Sequence, residues 1–184
     1  CIITEFMARG SLFHVLHQSK IEMNYSRCIR ISKDIAKALY FIHNNHYIHR
    51  DIKSYNILVN EQLVCKVCDF GMSHLNDKII NATAGTPVYM APELLINDYR
   101  GKPSFKSDIY AFGVLLWEIW SRQVPWDGME LNTIKQKIKL KERPDINQII
   151  TDTPLHIKKL IQQCWHQDYE QRPDMLFILK QLNQ

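Results

Sequence analysis

The side chains best suited to chemistry lie in two short polar segments in the first half of the chain. Asp51 can accept the proton of a hydroxyl group, and Asn56, five positions later, can offer an amide oxygen to a cation. Lys53 lies between them and can place positive charge against a phosphate group. Asp69 can bind a Mg²⁺ ion that bridges nucleotide phosphates. Because phosphoryl transfer depends mainly on positioning and electrostatics, these side chains together indicate that reaction.

These side chains belong to three short signatures that follow one another along the chain. They are His49-Arg50-Asp51, Asp69-Phe70-Gly71 and, after the run Gly85-Thr86-Pro87-Val88-Tyr89-Met90, Ala91-Pro92-Glu93. Any one of them alone would more often be an ordinary polar turn. Their order, spacing and predicted strand or loop context argue against coincidence, and together they resemble the eukaryotic-type protein kinase family.

The resemblance extends over the whole chain and implies a mainly α (α+β) fold, the C-terminal lobe of a protein kinase. This fold is a helical bundle with a small β-hairpin insert that carries the catalytic and activation loops. Residues 1–10 would be the last N-lobe strand and the hinge, 47–56 the catalytic loop, 69–93 the activation segment and 107–184 a helical subdomain. The resemblance also implies ATP and Mg²⁺ as cofactors and protein substrates as partners.

The sequence contains no Gly-rich phosphate loop, β3 lysine or helix-C glutamate, which the family uses to hold ATP. It also begins in an apolar run at Cys1, so we expect it to be cut from a longer kinase and to be inactive alone. The alternative is a catalytically dead kinase-like scaffold or interaction module. We favour the enzyme because the C-lobe catalytic residues are all present.

Several further roles follow only from the resemblance. Thr4 would be the gatekeeper, and the Glu5 carbonyl and the Met7 backbone would face the adenine. Leu58 would lie beneath the adenine ring, while Lys53 would steady the γ-phosphate. A set of structural residues would hold the loops in place: His49, Arg50, Phe70, Gly71, Thr86, Glu93, Asp108 and Arg172.

Two of the implied structural roles can be stated as contacts. Asp108, at the start of a buried central helix, would hold the backbone of the catalytic loop. Arg172 would form a buried ion pair with Glu93, and losing one partner would cost on the order of 3–5 kcal/mol. Gly71 would let the chain turn after Asp69.

Within the family, the sequences Cys164-Trp165 and Trp117-Glu118-Ile119-Trp120 resemble the tyrosine-kinase-like group. Lys53, however, points to serine/threonine chemistry, because tyrosine kinases usually place Ala-Ala-Arg or Arg-Ala-Ala there. Thr86 agrees, since its hydroxyl would bridge Asp51 and Lys53. The chain is therefore expected to phosphorylate serine and threonine.

Arg50 directly precedes Asp51, an arrangement in which a phosphorylated activation loop can be gripped by an arginine. The acceptor predicted for such a phosphate is Thr83, with Ser73 as the second candidate. An unmodified polar loop is equally open as an interpretation.

The elements that must position these residues follow from periodicity and turn signals. A strand is predicted over 1–6, a helix over 12–17 capped by Ser11, and a long amphipathic helix over 25–44. Two short strands, 57–59 and 63–67, should form a hairpin that precedes a long loop over 69–93. Four helices should follow, over 108–121, 130–139, 154–165 and 173–182, with Pro154 and Pro173 in first turns.

Bulk composition excludes several function classes. The net charge of +4 is too mild to indicate nucleic acid as a partner. The apolar segment 109–120 is too short for a membrane span. An odd number of irregularly spaced cysteines indicates a reducing compartment, so a cytoplasmic protein is expected. Neither the histidines at 43, 46 and 49 nor the C-x-x-C of Cys65 and Cys68 has the partner ligands that a metal site needs.

Overall fold

The computed structural model describes residues 3–75, 85–96, 101–150 and 153–184. Within these ranges the α-helices are α1 Leu12–His17, α2 Tyr25–Asn44, α3 Pro92–Leu95, α4 Phe105–Ser121, α5 Leu131–Lys139, α6 Leu155–Cys164 and α7 Met175–Leu182. The strands are short, namely β1 Tyr47–Ile48, β2 Ile57–Val59, β3 Cys65–Val67 and β4 His74–Leu75. The predicted mainly helical fold with a small β-hairpin is therefore confirmed.

Helix α4 is the centre of the core. Every residue from Ser107 to Ser121 is buried, because most of the segment is apolar and it is surrounded by other elements. It packs against α6 and α2. At Gly113 a Cβ atom would lie only 2.8 Å from Cys164 Cβ, so glycine allows α4 and α6 to approach closely.

Helix α2 lies on one side of α4, and its amphipathic pattern determines how it packs. Asn24 caps its N-terminus by accepting the Arg27 N–H at 3.1 Å. Its buried face contacts α7, α4 and the hairpin strand β3, and consists of Cys28, Ile31, Ser32, Ile35, Ala36, Leu39 and Ile42. The helix begins and ends where the sequence pattern predicted.

Strands β2 and β3 pair antiparallel, with Ile57 opposite Val67 and Val59 opposite Cys65. The turn is fixed by Asn60, whose Oδ1 accepts the Val64 N–H at 2.9 Å. The predicted start of β3 at Leu63 was wrong, because Leu63 has φ of 61°, a left-handed turn conformation that cannot continue a strand. A second antiparallel pair, β1 with β4, was not predicted.

The strand predicted over residues 1–6 was wrong for its described part. Residues 3–6 are not a strand, because no neighbouring strand in the described chain pairs with them. Part of the predicted loop 69–93 is also regular, since Pro92 starts α3 at the position where a missing N–H costs nothing.

Four helix starts differ from the sequence pattern. Helix α5 begins at Leu131 instead of the predicted 130. Helix α4 begins at Phe105, before the predicted 108, because Ser104 caps it and its N–H donates to Ser107 Oγ at 3.0 Å. Pro154 is the cap residue of α6 and not part of its first turn. Pro173 lies outside α7, which is capped by the side chain of Asp174. No helix among the described residues is long and apolar enough to cross a membrane.

Candidate active site

Asp51 lies at the centre of a network of side chains from the loop between β1 and β2. It is 4% exposed, and its Oδ2 lies 2.6 Å from Lys53 Nζ. Asn56 Nδ2 donates to the same carboxylate at 2.8 Å and to the Asp51 main-chain carbonyl at 2.9 Å. A single 3₁₀ turn, Ser54–Asn56, folds the chain back so that these contacts form. The carboxylate is thus held between a cation and an amide donor.

Thr86 joins this network from the other side, in the segment before α3. Its hydroxyl donates to Asp51 Oδ1 at 2.9 Å and accepts from Lys53 Nζ at 2.8 Å, which is the bridge that the family resemblance implies. The neighbouring Gly85 has φ of 134°, and a Cβ there would lie 3.0 Å from Met90 Cε and 3.4 Å from the carbonyl oxygen of Arg50 in the catalytic loop. Glycine therefore lets this segment approach the catalytic loop.

The hairpin brings Asn56 and Asp69 to the same end of the sheet. Asn56 directly precedes β2, and Asp69 follows β3 by two residues. The Cys68 N–H donates to the Asn56 carbonyl at 2.9 Å, which extends the antiparallel pairing to the edge of the site. Asp69 has φ of 63°, a left-handed conformation that turns the chain away after the strand.

The donor atoms at this edge fit Mg²⁺. Because the Asn56 amide nitrogen is used by Asp51, its amide oxygen is the atom left for a cation. The exposed Asp69 carboxylate uses one oxygen to accept the Gly71 N–H at 3.3 Å. Mg²⁺ usually takes one or two protein carboxylates together with substrate phosphates and water, rather than a closed protein cage. The described chain has no cluster of three or more His, Cys, Asp or Glu suited to a metal.

His49 connects the catalytic loop to the segment that bears Asp69. Its Nε2 lies 3.0 Å from the Cys68 carbonyl, and its Nδ1 accepts the Asp51 N–H at 3.4 Å. Because a carbonyl only accepts, the ring is the neutral tautomer with its hydrogen on Nε2. The edge of the ring meets Phe70 at 5.1 Å between centroids.

Asp108, in the first turn of α4, holds the backbone of the catalytic loop. It is 1% exposed, and it accepts the N–H groups of His49 at 2.8 Å and Arg50 at 2.9 Å. His43 Nε2 lies 3.0 Å from the same carboxylate. Arg50 has φ of 74°, so the two backbone bonds keep it in a conformation that is otherwise unfavourable. Burial lowers the pKa of Arg50, and the charge of Asp108 opposes this shift.

Arg172 and Glu93 form a two-point ion pair, with both N···O distances at 2.8 Å. The fully buried guanidinium also donates to the carbonyls of His166 at 2.9 Å and Lys106 at 2.8 Å. Its donors are therefore satisfied by groups from three separate segments. This pair anchors α3, and with it the segment that bears Thr86, to the helical core.

The residues expected at the adenine lie beside the hairpin. Thr4 and Glu5 are exposed, and Glu5 lies 3.2 Å from Lys66 on β3. Met7 is buried, and its carbonyl accepts the Gly10 N–H at 3.0 Å. Leu58 is half-buried on β2. Their contact with a nucleotide stays a prediction.

Of the two phosphorylation candidates, the structure describes only Ser73. Thr83 lies outside the described residues. Ser73 is half-buried, and its hydroxyl donates to the His49 carbonyl at 3.4 Å. Arg50 Nη1 donates to the Met72 carbonyl at 3.5 Å, so the arginine already contacts the segment that bears Ser73. Modification of either residue stays a prediction.

A second buried carboxylate, Glu118 near the end of α4, was not assigned a role from the sequence. It is 0% exposed and accepts hydrogen bonds from Ser54 Oγ at 2.8 Å and Tyr89 OH at 2.7 Å. His17 Nε2 on α1 lies 2.9 Å from it. One signal was available, because a charged residue inside the apolar segment 109–120 must find buried polar partners. The identity of those partners was not predictable.

These contacts bring together the loop that carries Asp51, the hairpin edge that carries Asn56 and Asp69, and the anchored segment that carries Thr86. The protein tyrosine and serine/threonine kinase family matches residues 1–182. The chain belongs to this family.

Individual relatives agree with this assignment. A probable serine/threonine-protein kinase of Dictyostelium discoideum is 39% identical over 188 residues, which cover 100% of this chain and 20% of that protein. The serine/threonine-protein kinase CTR1 of Arabidopsis thaliana is 35% identical, over 97% of this chain and 22% of that protein. The dual specificity protein kinase shkC of Dictyostelium discoideum is 35% identical, over 99% and 37%. The chain thus spans well under half the length of these relatives.

Proposed function

We propose that this chain is the C-lobe of a protein kinase that transfers the γ-phosphate of ATP to serine and threonine hydroxyls of proteins. The observation that supports this best is the triangle of Asp51, Lys53 and Thr86, with all three contacts between 2.6 and 2.9 Å. It combines a proton acceptor, a cation and a hydroxyl that links them across two segments. The names of two relatives are consistent with serine/threonine chemistry.

In this proposal each side chain has one task. Asp51 orients the substrate hydroxyl and accepts its proton, while Lys53 places positive charge against the phosphoryl group. Thr86 is hydrogen-bonded to both of these side chains and keeps them in position, so that a movement of the activation segment would disturb both. Mg²⁺ bound by Asn56 and Asp69 would neutralise the charge of the nucleotide phosphates.

The preference for serine and threonine also has a geometric argument. Lys53 is 20% exposed and is held by both Asp51 and Thr86, so its ammonium group occupies the space beside the proton acceptor. A phenol ring approaching Asp51 would need that space. The dual specificity of one relative makes tyrosine phosphorylation the alternative outcome to be tested.

In a complete kinase, an N-lobe would supply the Gly-rich loop and the lysine that the 184 residues do not contain. We therefore expect the chain alone to show no phosphoryl transfer and no Mg²⁺-ATP-dependent rise in melting temperature. A fusion that places a kinase N-lobe directly before Cys1, hereafter the N-lobe fusion, should regain both. A clear ATP-dependent melting shift and substrate phosphorylation by the 184 residues alone would contradict the proposal that an N-lobe is required for both.

The central experiment compares Asp51→Asn with Asp127→Asn in the N-lobe fusion. Asp51→Asn should reduce phosphoryl transfer by at least about a thousandfold while the protein stays folded by circular dichroism, because it removes the proton acceptor and leaves the apolar core intact. Asp127 is exposed, so its substitution should have no effect. Phosphoamino-acid analysis of a generic protein substrate should show phosphoserine and phosphothreonine. Retained turnover in Asp51→Asn would contradict its role, and predominant phosphotyrosine would contradict the specificity.

A cytoplasmic location is proposed on chemical grounds. The described cysteines Cys28, Cys65, Cys68 and Cys164 are all unpaired thiols, which suits a reducing compartment. Burial raises the pKa of Cys28 and Cys65 to about 12, so these two thiols resist oxidation. Localisation of a tagged full-length gene product by microscopy would test the proposal, and a secreted protein would contradict it.

A further inference from the structure

A cavity of about 440 Å³ lies between the start of helix α2, the turn of the β2–β3 hairpin and the segment before α1. Ligand-binding pockets usually have volumes of about 300–1,000 Å³, so this one is large enough to hold a ligand. Three arginines line it, Arg9 before α1 and Arg27 and Arg30 on α2. No residue of the proposed catalytic network lines it, so phosphoryl transfer does not account for this cluster of positive charge.

Arg9 and Arg30 both donate to the hairpin turn. Arg9 Nε donates to the Glu61 carbonyl at 3.1 Å, and Arg30 Nη2 donates to the Gln62 carbonyl. The main chain of Arg9 is fixed as well, because its N–H donates to the Val59 carbonyl of β2 at 3.0 Å. A guanidinium has five N–H donors, and the turn uses one from each side chain, so both arginines keep donors for a ligand.

Arg27 adds a third guanidinium at the N-terminus of α2. It lies three residues before Arg30, so both side chains share one face of the helix. Arg27 Nη1 donates to the Glu22 carbonyl at 2.5 Å, which directs the side chain toward the start of the helix. No acidic residue lies in the first turn of α2. The partial positive charge of the helix N-terminus therefore adds to that of the arginines.

The charge of the three arginines is not balanced by carboxylates. Within the described chain, none of the three forms an ion pair. Of the residues that line the cavity only Glu61 is acidic, and it is exposed. Asp34, one turn beyond Arg30 on α2, accepts the Cys65 N–H at 3.1 Å. Like charges gathered without a counter-ion repel one another, and an anion in the cavity would relieve this repulsion.

A phosphate group fits this arrangement of donors. A planar guanidinium can form two parallel N–H···O bonds to phosphate oxygens, and three guanidiniums line the cavity. A phosphorylated serine or threonine carries about two negative charges and several acceptor oxygens at neutral pH. A phosphate therefore neutralises more of the clustered charge than a single carboxylate would.

The rest of the lining favours a protein segment over a membrane. The Asn24 side-chain oxygen accepts the Arg27 N–H at 3.1 Å, so its amide nitrogen is left to donate to a peptide carbonyl. Ile21 is half-buried in the lining and offers apolar surface to a neighbouring side chain. Exposed Glu22 and Glu61 would repel an anionic lipid surface, which attracts broad clusters of cations.

We propose that Arg9, Arg27 and Arg30 form a docking site for a phosphorylated serine or threonine of a protein segment. The phosphate binds the remaining N–H donors of the three guanidiniums, and the flanking peptide lies against Ile21 and Asn24. The site binds and does not react, so this inference goes beyond the proposed phosphoryl transfer and does not rest on it. The expected preference for a phosphorylated over an unphosphorylated segment is at least about tenfold in Kd.

The test measures the fluorescence anisotropy of labelled peptides with the full-length gene product in the absence of ATP. The peptides are a library with phosphoserine at one fixed position and mixed residues at the others, and the same library with serine at that position. The phosphorylated library should bind at least about tenfold more tightly. The double variant Arg27→Gln/Arg30→Gln should reduce this ratio to about twofold or less, because it removes two of the three guanidiniums. Circular dichroism checks that the variant folds.

Three further variants separate the site from net charge and from folding. Arg27→Lys/Arg30→Lys keeps both charges but not the planar forks, and its affinity for the phosphorylated library should fall by about threefold. Lys139→Gln/Lys159→Gln removes the same amount of charge from exposed positions on α5 and α6 and should change nothing. Glu61→Gln, at an exposed position of the turn, should bind the phosphorylated library about twofold more tightly, because it removes the acidic residue of the lining.

Inorganic phosphate and lipid vesicles identify the source of the phosphate group. Inorganic phosphate should compete with the phosphorylated library but bind more weakly, because it lacks the peptide contacts. Equal affinity of the two would overturn the protein partner in favour of free phosphate. Vesicles that contain phosphatidylinositol phosphates should bind the wild type no better than they bind Arg27→Gln/Arg30→Gln. Vesicle binding that this variant removes, without a preference for the phosphorylated library, would overturn the protein partner in favour of a membrane.

The docking site as a whole is overturned if the wild type binds both libraries equally, or if Arg27→Gln/Arg30→Gln leaves the preference intact. Should the glutamine variant not fold, the lysine variant and Glu61→Gln decide the question. Unchanged affinity of both for the phosphorylated library would then overturn the site. Neither result depends on phosphoryl transfer, so the proposed function is tested separately.

Discussion

Helix α4 contains two buried carboxylates that organise different parts of the site by different means. Asp108 in its first turn accepts backbone N–H groups of the catalytic loop at 2.8 and 2.9 Å. Glu118 near its last turn accepts side-chain hydroxyls of Ser54 at 2.8 Å and Tyr89 at 2.7 Å. Asp108 therefore fixes the course of the main chain, whereas Glu118 fixes side chains on two segments that face each other.

The electrostatic settings of the two carboxylates also differ. The partial positive charge at a helix N-terminus favours an anion at Asp108, while the C-terminal end of the same helix disfavours one at Glu118. Each carboxylate has a histidine within 3.0 Å, His43 for Asp108 and His17 for Glu118. The comparison suggests that Asp108 contributes mainly to stability and that Glu118 contributes mainly to the alignment of the catalytic loop with the activation segment.

The largest effect is expected for Asp108→Asn. Its amide oxygen could still accept one of the two buried backbone N–H groups, but its amide nitrogen would face the other, which would lose its acceptor. The free energy of unfolding should therefore fall by about 3 kcal/mol. Urea denaturation of the 184-residue chain measures this, with Asp127→Asn as the exposed control. A loss below about 1 kcal/mol would show that the backbone bonds to Asp108 are not a principal support.

Glu118→Gln should cost less, about 1–2 kcal/mol, although the residue is equally buried. The two hydroxyls bond different carboxylate oxygens, so the amide oxygen can still accept one of them, and the other hydroxyl can rotate to accept the new amide N–H. The unfavourable interaction of an anion with the helix end also disappears. In the N-lobe fusion we expect kcat to fall by about tenfold because the two segments are less well aligned. A destabilisation as large as that of Asp108→Asn would remove the proposed distinction between the two carboxylates.

The pH dependence of the free energy of unfolding tests the Tyr89 hydroxyl, which donates to Glu118 and can ionise. The backbone N–H groups that donate to Asp108 do not ionise at alkaline pH. Burial, with the charge of Glu118 as a smaller cause, raises the pKa of Tyr89 well above its ordinary value. In the unfolded chain this tyrosine ionises at about pH 10. Its contribution to stability is therefore complete below that pH and is lost as the pH rises toward the folded-state pKa.

The measurement is urea denaturation at several alkaline pH values for the wild type and Tyr89→Phe. The wild-type free energy of unfolding should decline more steeply above about pH 10 than that of Tyr89→Phe, which has no hydroxyl to ionise. For Asp108→Asn, the free energy of unfolding should decline with pH as steeply as it does for the wild type. Equal slopes for the wild type and Tyr89→Phe would mean that this hydroxyl ionises in the folded protein as it does in the unfolded chain.

The smallest effect is expected for Ser54→Ala, about 1 kcal/mol, since Glu118 keeps two other partners. A double-mutant cycle sharpens the comparison. Ser54→Ala and Glu118→Gln should be non-additive by at least about 0.5 kcal/mol, because they share one hydrogen bond. Ser54 and Asp108 share no hydrogen bond, so the losses in the free energy of unfolding caused by Ser54→Ala and Asp108→Asn should add. Coupling of equal size in both pairs would show that the two carboxylates act as one network.

Much of this molecule was predictable because its signals are local. The bounds of α2 follow from apolar residues that recur at helical spacing, and the hairpin follows from two short apolar runs around Asn60. Where local signals competed, the prediction shifted by a few residues, as at Leu63, where a turn conformation delayed the start of β3. The strand expected over residues 1–6 needed a partner strand, which a local pattern cannot provide.

The sequence by itself determined the order and spacing of Asp51, Lys53, Asn56 and Asp69, because motif spacing is a property of the chain. Only the tertiary structure decided which distant groups meet. Glu118 binds His17 and Tyr89 across 101 and 29 positions, and Phe13 stacks on Tyr55. A buried carboxylate must find donors, but any of many hydroxyls and histidines would satisfy it. The choice is made by how the helices pack, and packing depends on the whole chain at once.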